Sequence, residues 1–275
     1  MQKYLLAGLL LVTTTGLARE FWLEPARFWV APGAAVHVRR VVGGNFQGTA
    51  WAGKPDRVML FTHYAPGGAA RSLLPAASAP DTLQSTVQLL QPGTHLLALA
   101  TNNASATLDG PGFTAYLREE GLDYAVAQRE QRHETDKPGR EAYRRCAKTL
   151  VQVGPATAAD TARAWARPLG LPLELVPEQN PYRLAPGAAF TVRVLLAGQP
   201  LPGQQVVLWR RGTLPQALIS KLRSNQNGRV LFRLSEPGEY LVSTVRIEPA
   251  PIAATADWQS TWSTLTFGLA GPKRP

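Results

Sequence analysis

The sequence contains a single cysteine, only two methionines and no apolar run long enough to cross a bilayer. A spanning helix needs about 20 apolar residues, and the one conspicuous run, Leu5 to Val12, is far shorter. Cys146 has no partner in the chain, so an internal disulfide is excluded. There is no Gly-x-Ser-x-Gly elbow, which removes the nucleophile turn of one hydrolase class. No Gly-rich phosphate loop or dinucleotide fingerprint occurs, and His133-Glu134 lacks the second histidine of a helical zinc motif. Acidic residues are also scarce relative to basic ones, 19 against 29, giving a formal charge of +10. The basic residues come as scattered pairs, Arg39-Arg40, Arg144-Arg145, Arg210-Arg211 and Lys273-Arg274. No stripe collects them, so no nucleic-acid partner is expected. Outside the cytoplasm this charge predicts a solvated surface, with loose attraction to anionic envelope polymers or lipid headgroups.

What is present begins with an export signal. Lys3 supplies positive charge, Leu5 to Val12 is a short apolar core, and Gly16-Leu17-Ala18 fits a signal-peptidase site. Residues 1–18 therefore read as a cleavable signal peptide, with Arg19 as the new first residue. Because that residue is not cysteine, a lipoprotein anchor is not expected. The predicted location is periplasmic or secreted, with no transmembrane segment after cleavage.

Short apolar stretches alternate with turn residues, 24 Gly and 23 Pro among 275 residues, which predicts an all-β chain. Length and spacing point to two β-sandwich domains of immunoglobulin-like or transthyretin-like type, 19–153 and 168–275, joined by an Ala- and Thr-rich linker at 154–167. A helical excursion is expected at 113–145, where Phe113, Tyr116, Leu117 and Tyr124 recur at helical spacing. Its first helix would end near His133, a second short helix would cover Arg140 to Arg144, and strand would resume from Ala147 to Val153. Two internal echoes accompany the two-domain reading. Ala31-Pro32-Gly33-Ala34-Ala35-Val36 matches Ala185-Pro186-Gly187-Ala188-Ala189-Phe190, and Pro92-Gly93-Thr94-His95-Leu96 matches Pro237-Gly238-Glu239-Tyr240-Leu241. Duplication and convergent turn chemistry both explain them.

Side chains able to do chemistry are dispersed. His37, His63, His95 and His133 show no close pairing in sequence, and structural or surface roles are expected for them. Glu119-Glu120 and Glu20/Glu24 are the conceivable carboxylate pairs, although adjacent helical acids point in different directions. Trp258 and Trp262, with Trp22 and Trp29, would serve either as sandwich core or as an aromatic platform for a sugar. Cys146 is expected to be a buried, inert thiol. No enzyme activity is predicted.

Four ordered segments carry a family resemblance: Glu20 to Pro25, Tyr116 to Leu122, Pro168 to Pro177, and Asp257-Trp258 through Trp262 to Phe267. Over nearly the whole mature chain they resemble a bacterial secreted family of unknown function, similar to the periplasmic component of nickel and cobalt uptake transporters. The resemblance implies a histidine at the mature amino terminus as a ligand for nickel, cobalt or copper, and a second histidine before the closing tryptophan segment. Here these positions are Arg19 and Arg246. A guanidinium stays protonated and has no lone pair to donate, so the resemblance implies a degenerate metal site that repels a metal ion and accepts an anion. No cofactor is expected; Arg19, Glu20, Arg246, Trp258 and Trp262 form the possible ligand-binding set. Two functional readings follow. One is an exported ligand-binding or accessory protein related to metal uptake, with a transporter component as partner. The other is a non-enzymatic envelope module binding a protein or glycan partner.

Overall fold

The computed structural model describes residues 20–74, 84–156, 160, 162–211, 217–251 and 255–271. The predicted signal peptide, residues 1–18, and the Arg19 that follows it lie outside them. Among the described residues no helix is long and apolar enough to cross a membrane.

Strand alternation builds two small antiparallel sheets. In the first, β3 (Ala34–Gly44) pairs with β1 (Glu20–Pro25), β4 (Gln47–Ala50) and β7 (Gln84–Leu89). Val36 and Val38 of β3 are buried and His37 between them is not, as a period of two requires. In the second, β12 (Ala188–Leu196) pairs with β11 (Leu173–Pro177), β13 (Gln199–Pro200) and β16 (Arg229–Leu234). In β16, Val230, Phe232 and Leu234 point inward while Arg229, Leu231 and Arg233 point out.

Between these sheets runs a ten-stranded layer. Its main path is β15 (Ala217–Arg223), β14 (Gln205–Arg211), β17 (Gly238–Pro249), β18 (Trp258–Leu269), β10 (Gly139–Val153), β8 (Gly93–Thr101), β5 (Val58–Tyr64) and β6 (Ala70–Ser72). β2 (Trp29–Val30) and β9 (Ala104–Leu108) pair with β10 at its ends. The two halves of the chain therefore share one layer: β10 and β18 pair in parallel from Glu141↔Trp258 to Thr149↔Thr266.

Opposite faces of this layer carry the two cores. Leu97, Leu99, Ala147 and Val151 face the β1–β3–β7 sheet, with Phe21, Val36, Phe61 and Leu89. Leu96, Leu150, Val242, Leu265 and Phe267 face the other way, onto Leu175, Phe190, Val192 and Phe232. Thr264 and Thr266 hydroxyls donate to the Phe21 and Leu23 carbonyls, 2.7 Å each, and tie β1 across the layer. On the opposite face the Lys148 ammonium pairs with Glu174, both fully buried. Glu174 also accepts the amides of Leu169, Gly170 and Leu171 at 2.7, 3.0 and 3.2 Å.

The sequence echoes occupy equivalent places. Gly33 and Gly187 both adopt left-handed φ, 81° and 89°, which only glycine takes without cost. Their amides donate to Leu89 O at 2.8 Å and Leu234 O at 2.7 Å, each one strand away from the following β3 or β12. At the second echo, Tyr240 Oη donates to the Glu236 carbonyl, 2.5 Å, four residues upstream. This is the corner contact of immunoglobulin-like sandwiches. In the first half His95 occupies the same position and bonds the Gln91 carbonyl, also four residues upstream, at 2.7 Å.

The helical excursion differs from expectation in two respects. It consists of α1 (Gly110–Glu119) and α2 (Asp123–Gln131). Asp109 caps α1 by accepting Gly112 N at 2.6 Å, and Gly121, at φ 68°, ends it. The second short helix at Arg140–Arg144 does not form; these residues belong to the 15-residue strand β10. Pairing with β9 on one edge and β18 on the other overrides local helical preference. In the 154–167 stretch, Ala164–Ala166 form a 3-10 turn whose Trp165 is buried in the second core.

Candidate functional site

Glu20, at the start of β1, is the best-constrained member of the predicted site. It is 8% exposed, and its Oε1 accepts from Ser243 Oγ of β17 and, at 3.2 Å, from Trp209 Nε1 of β14. Oε2 has no hydrogen-bond partner. The turn between β3 and β4 closes over it. Asn45 and Phe46 both have left-handed φ, 57° and 58°, the geometry of a tight hairpin turn and costly for a ring-bearing residue. Phe46 is held there by burial against Trp22, 5.7 Å between centroids, and under the Arg211 guanidinium at 4.5 Å. The backbone amides of Phe46 and Asn45 lie toward Glu20 without closing a hydrogen bond to Oε2, and burial outweighs their field and raises its pKa.

Two more carboxyls lie around α1. Burial, then the Glu20 and Glu119 carboxylates, push Glu120 up to about 8, with Lys221 opposing. Glu141 on β10 is 2% exposed, and burial lifts it to about 7 against the Ser260 and Tyr116 hydroxyls and Arg145. Tyr116 Oη donates to its Oε1 at 3.2 Å, while Oε2 is unpartnered. These groups sense one another through space without chelating. Among the described residues no group of three or more His, Cys, Asp or Glu converges to hold a metal ion.

Sequence proximity did not reveal the one histidine pair that forms. His63 of β5 and His95 of β8 face each other at 2.7 Å between Nε2 and Nδ1. A carbonyl only accepts, so His95 Nε2 carries the proton given to Gln91 O, and its Nδ1 receives the proton of His63 Nε2. This proton arrangement requires neutral rings, and burial supplies them: it lowers His95 and, with His95 and Arg71 adding to it, lowers His63 to about 4. The pair extends the corner contact into the first core.

The other predicted residues separate. Arg246 lies three positions beyond Ser243 on β17, an odd step that sends it to the opposite face of the strand. Its guanidinium is 4.3 Å from the Tyr124 ring centroid and 3.5 Å from Glu248. Tyr124 Oη in turn bridges the Ile247 amide and carbonyl at 3.0 and 2.7 Å. Trp258 and Trp262 are 1% and 2% exposed and pack beneath α1 with Phe113 and Tyr116. They are core, and the aromatic-platform reading fails because neither presents a face to solvent. Trp22 is likewise buried. Glu24 is taken up by Arg39 and Arg211, and Glu119 points outward, unlike Glu120. Cys146 is buried, and desolvation pushes its thiol up to about 11.

Comparison with known structures gives matches of low identity and low TM-score. The D0-D1 domain of intimin is 12% identical, covering 90% of this chain and 97% of that one, with a TM-score of 0.20. Escherichia coli alpha-2-macroglobulin activated by porcine elastase is 12% identical over 93% of this chain and 20% of that one, TM-score 0.24. The three N-terminal domains of the bacteriophage RB49 Hoc protein are 6% identical over 92% and 100%, TM-score 0.20. No curated protein matches the chain. Residues 17–248 match the family described as Domain of unknown function (DUF4198), and the chain belongs to that family.

Proposed function

We propose that this chain is an exported, non-catalytic ligand-binding or accessory protein of the cell envelope, related to nickel and cobalt uptake components by descent and not by a working metal centre. The observation that carries this reading is the Glu20 carboxyl. It is buried with one oxygen unpartnered, it shares its field with Glu120, and it stands two residues after the predicted cleavage point. Cleavage after Ala18 generates a free α-amine one residue from Glu20, so this acidic seat favours a positive group at the mature terminus. In a relative with histidine there, the positive group would be a metal ion. In this chain Arg19 supplies a permanent charge of its own. Other interior polar groups join layers, as Lys148–Glu174 and Glu24 with its two arginines do, which supports a binding scaffold.

Mass spectrometry of exported protein should find Arg19 as the first residue. Calorimetry of that protein with nickel, cobalt and copper should show no micromolar binding, and Arg19→His should gain it. Micromolar binding by the native chain, or none by Arg19→His even when combined with Arg246→His, overturns the account of a displaced metal site.

A further inference from the structure

A strongly charged concavity lies where the 154–167 stretch packs against the second small sheet. It is a cleft of about 460 Å³, lined by Arg163, Arg167, Arg193, Arg229 and Glu178 together with small and apolar residues. Four guanidiniums and one carboxylate leave a formal charge of +3.

The strands set up this excess. Arg193 of β12 and Arg229 of β16 are direct cross-strand partners, and like charges placed opposite each other destabilise a sheet. Glu178, just past β11, offsets only one of them. Its two oxygens accept from Arg229 Nε at 2.8 and 2.9 Å. Arg193 Nε comes within 3.4 Å of Glu178 but is buried without making a hydrogen bond. Onto this pair the 154–167 stretch adds two more guanidiniums. Arg163 lies 5.0 Å from the Trp165 ring and Arg167 5.9 Å from the Tyr64 ring, so aromatic faces hold both at the rim. Arg163 does so from left-handed backbone, φ 46°, a strained conformation for a non-glycine residue and one that clusters at ligand sites.

We infer that this cleft is an anion site for a phosphate ester carrying two or more negative charges. Arginine forks approaching from three chain segments suit a tetrahedral oxyanion, whose oxygens diverge, better than a planar carboxylate. The cleft is larger than one phosphate and has apolar walls at Ala162, Ala166, Val176 and Pro177, which leaves room for the group the phosphate esterifies. A soluble phosphate ester and the headgroup of a phosphate-bearing lipid present the same chemistry. The inference needs only the folded chain and is independent of the reading at Glu20.

The test uses the purified full chain at low ionic strength, with pyrophosphate in calorimetry and phosphatidylcholine vesicles with or without phosphatidic acid in co-sedimentation. Arg163→Gln and Arg167→Gln leave the pairing of the Glu178 carboxylate with Arg193 and Arg229 intact, the first giving up only a 3.4 Å bond to the Glu178 carbonyl, and should each weaken binding roughly tenfold, with the unfolding midpoint little changed. Saturable pyrophosphate binding lost in the double variant assigns a soluble ester. Retention only by phosphatidic acid vesicles, again lost in the double variant, assigns a headgroup. Binding of either probe undiminished in the double variant would place it on the general +10 surface and overturn the site. No binding of either probe at millimolar phosphate overturns it as well.

Discussion

Replacing Glu141 with glutamine isolates the energetic effect of one buried carboxyl. In the folded chain burial raises this group from the usual 4.5 to about 7. The native state therefore keeps its proton where the unfolded chain has already released it. Stability from this group is complete below about pH 4.5 and is lost as pH rises through about 7. A shift of that size corresponds to about 3 kcal/mol at 1.36 kcal/mol per pKa unit, with about 2 to 3 kcal/mol of it falling between roughly pH 5 and pH 9. Glutamine keeps the shape, still accepts from Tyr116 Oη and cannot ionise. Glu120, pushed up to about 8, and His63 titrate in both proteins and cancel in the comparison. Urea unfolding at the two pH values should find Glu141→Gln close to the native chain at the acid end and about 2 to 3 kcal/mol more stable at the alkaline end. A stability difference that does not change with pH would mean that Glu141 is solvated in the folded protein, and the argument from burial would fail.

Four further substitutions probe other buried polar groups. Lys148→Met strands the Glu174 carboxylate and should cost about 3–5 kcal/mol in urea unfolding. Adding Glu174→Leu should not restore stability, since the amides of Leu169, Gly170 and Leu171 then lose their acceptor; a double variant as stable as the native chain would refute this. Tyr240→Phe should cost about 1–2 kcal/mol through its corner bond, and His95→Phe somewhat more, because it also removes the acceptor of His63 Nε2. A neutral His95→Phe would show that the paired corners are not equivalent. Cys146 should resist a thiol reagent near pH 8 in the folded protein and react at once in denaturant, given a thiol pushed up to about 11; reaction of the native protein at a free-thiol rate would contradict its burial.

How much of this was legible in the sequence depends on how local the determinant is. Pro-Gly turns and the alternation around His37 and in β16 are local, and the all-β reading follows from them. The echo at Gly33 and Gly187 carried more than its few residues suggest, since it marks the central strand of each small sheet. The second half of β10, Ala147 to Val153, was legible as strand, but its first half was not, because Arg140 to Arg144 has helix-forming composition and becomes strand only through partners as distant as Trp258. Trp165 looked like linker because its neighbours are Ala and Arg. At the site, Glu20 stood out from its segment, but its partners Trp209 and Ser243 lie 189 and 223 residues away. His63 and His95 meet only because β5 and β8 are neighbours, and Arg193 and Arg229 only because β12 and β16 are.

The parallel β10–β18 ladder also constrains the order in which the molecule can be completed. Its facing residues are 117 positions apart, as the Arg144–Thr261 contact shows. Until β18, the last of the described strands, arrives, a long flank of β10 remains an open template in the middle of what will be a buried layer. Such non-local closure slows folding, and an unpaired flank invites pairing with another chain. Truncation before Trp258 should therefore yield a self-associating product and not a stable first half. Premature pairing of the earlier strands with another copy is the misfolding route this ladder leaves open until β18 is in place.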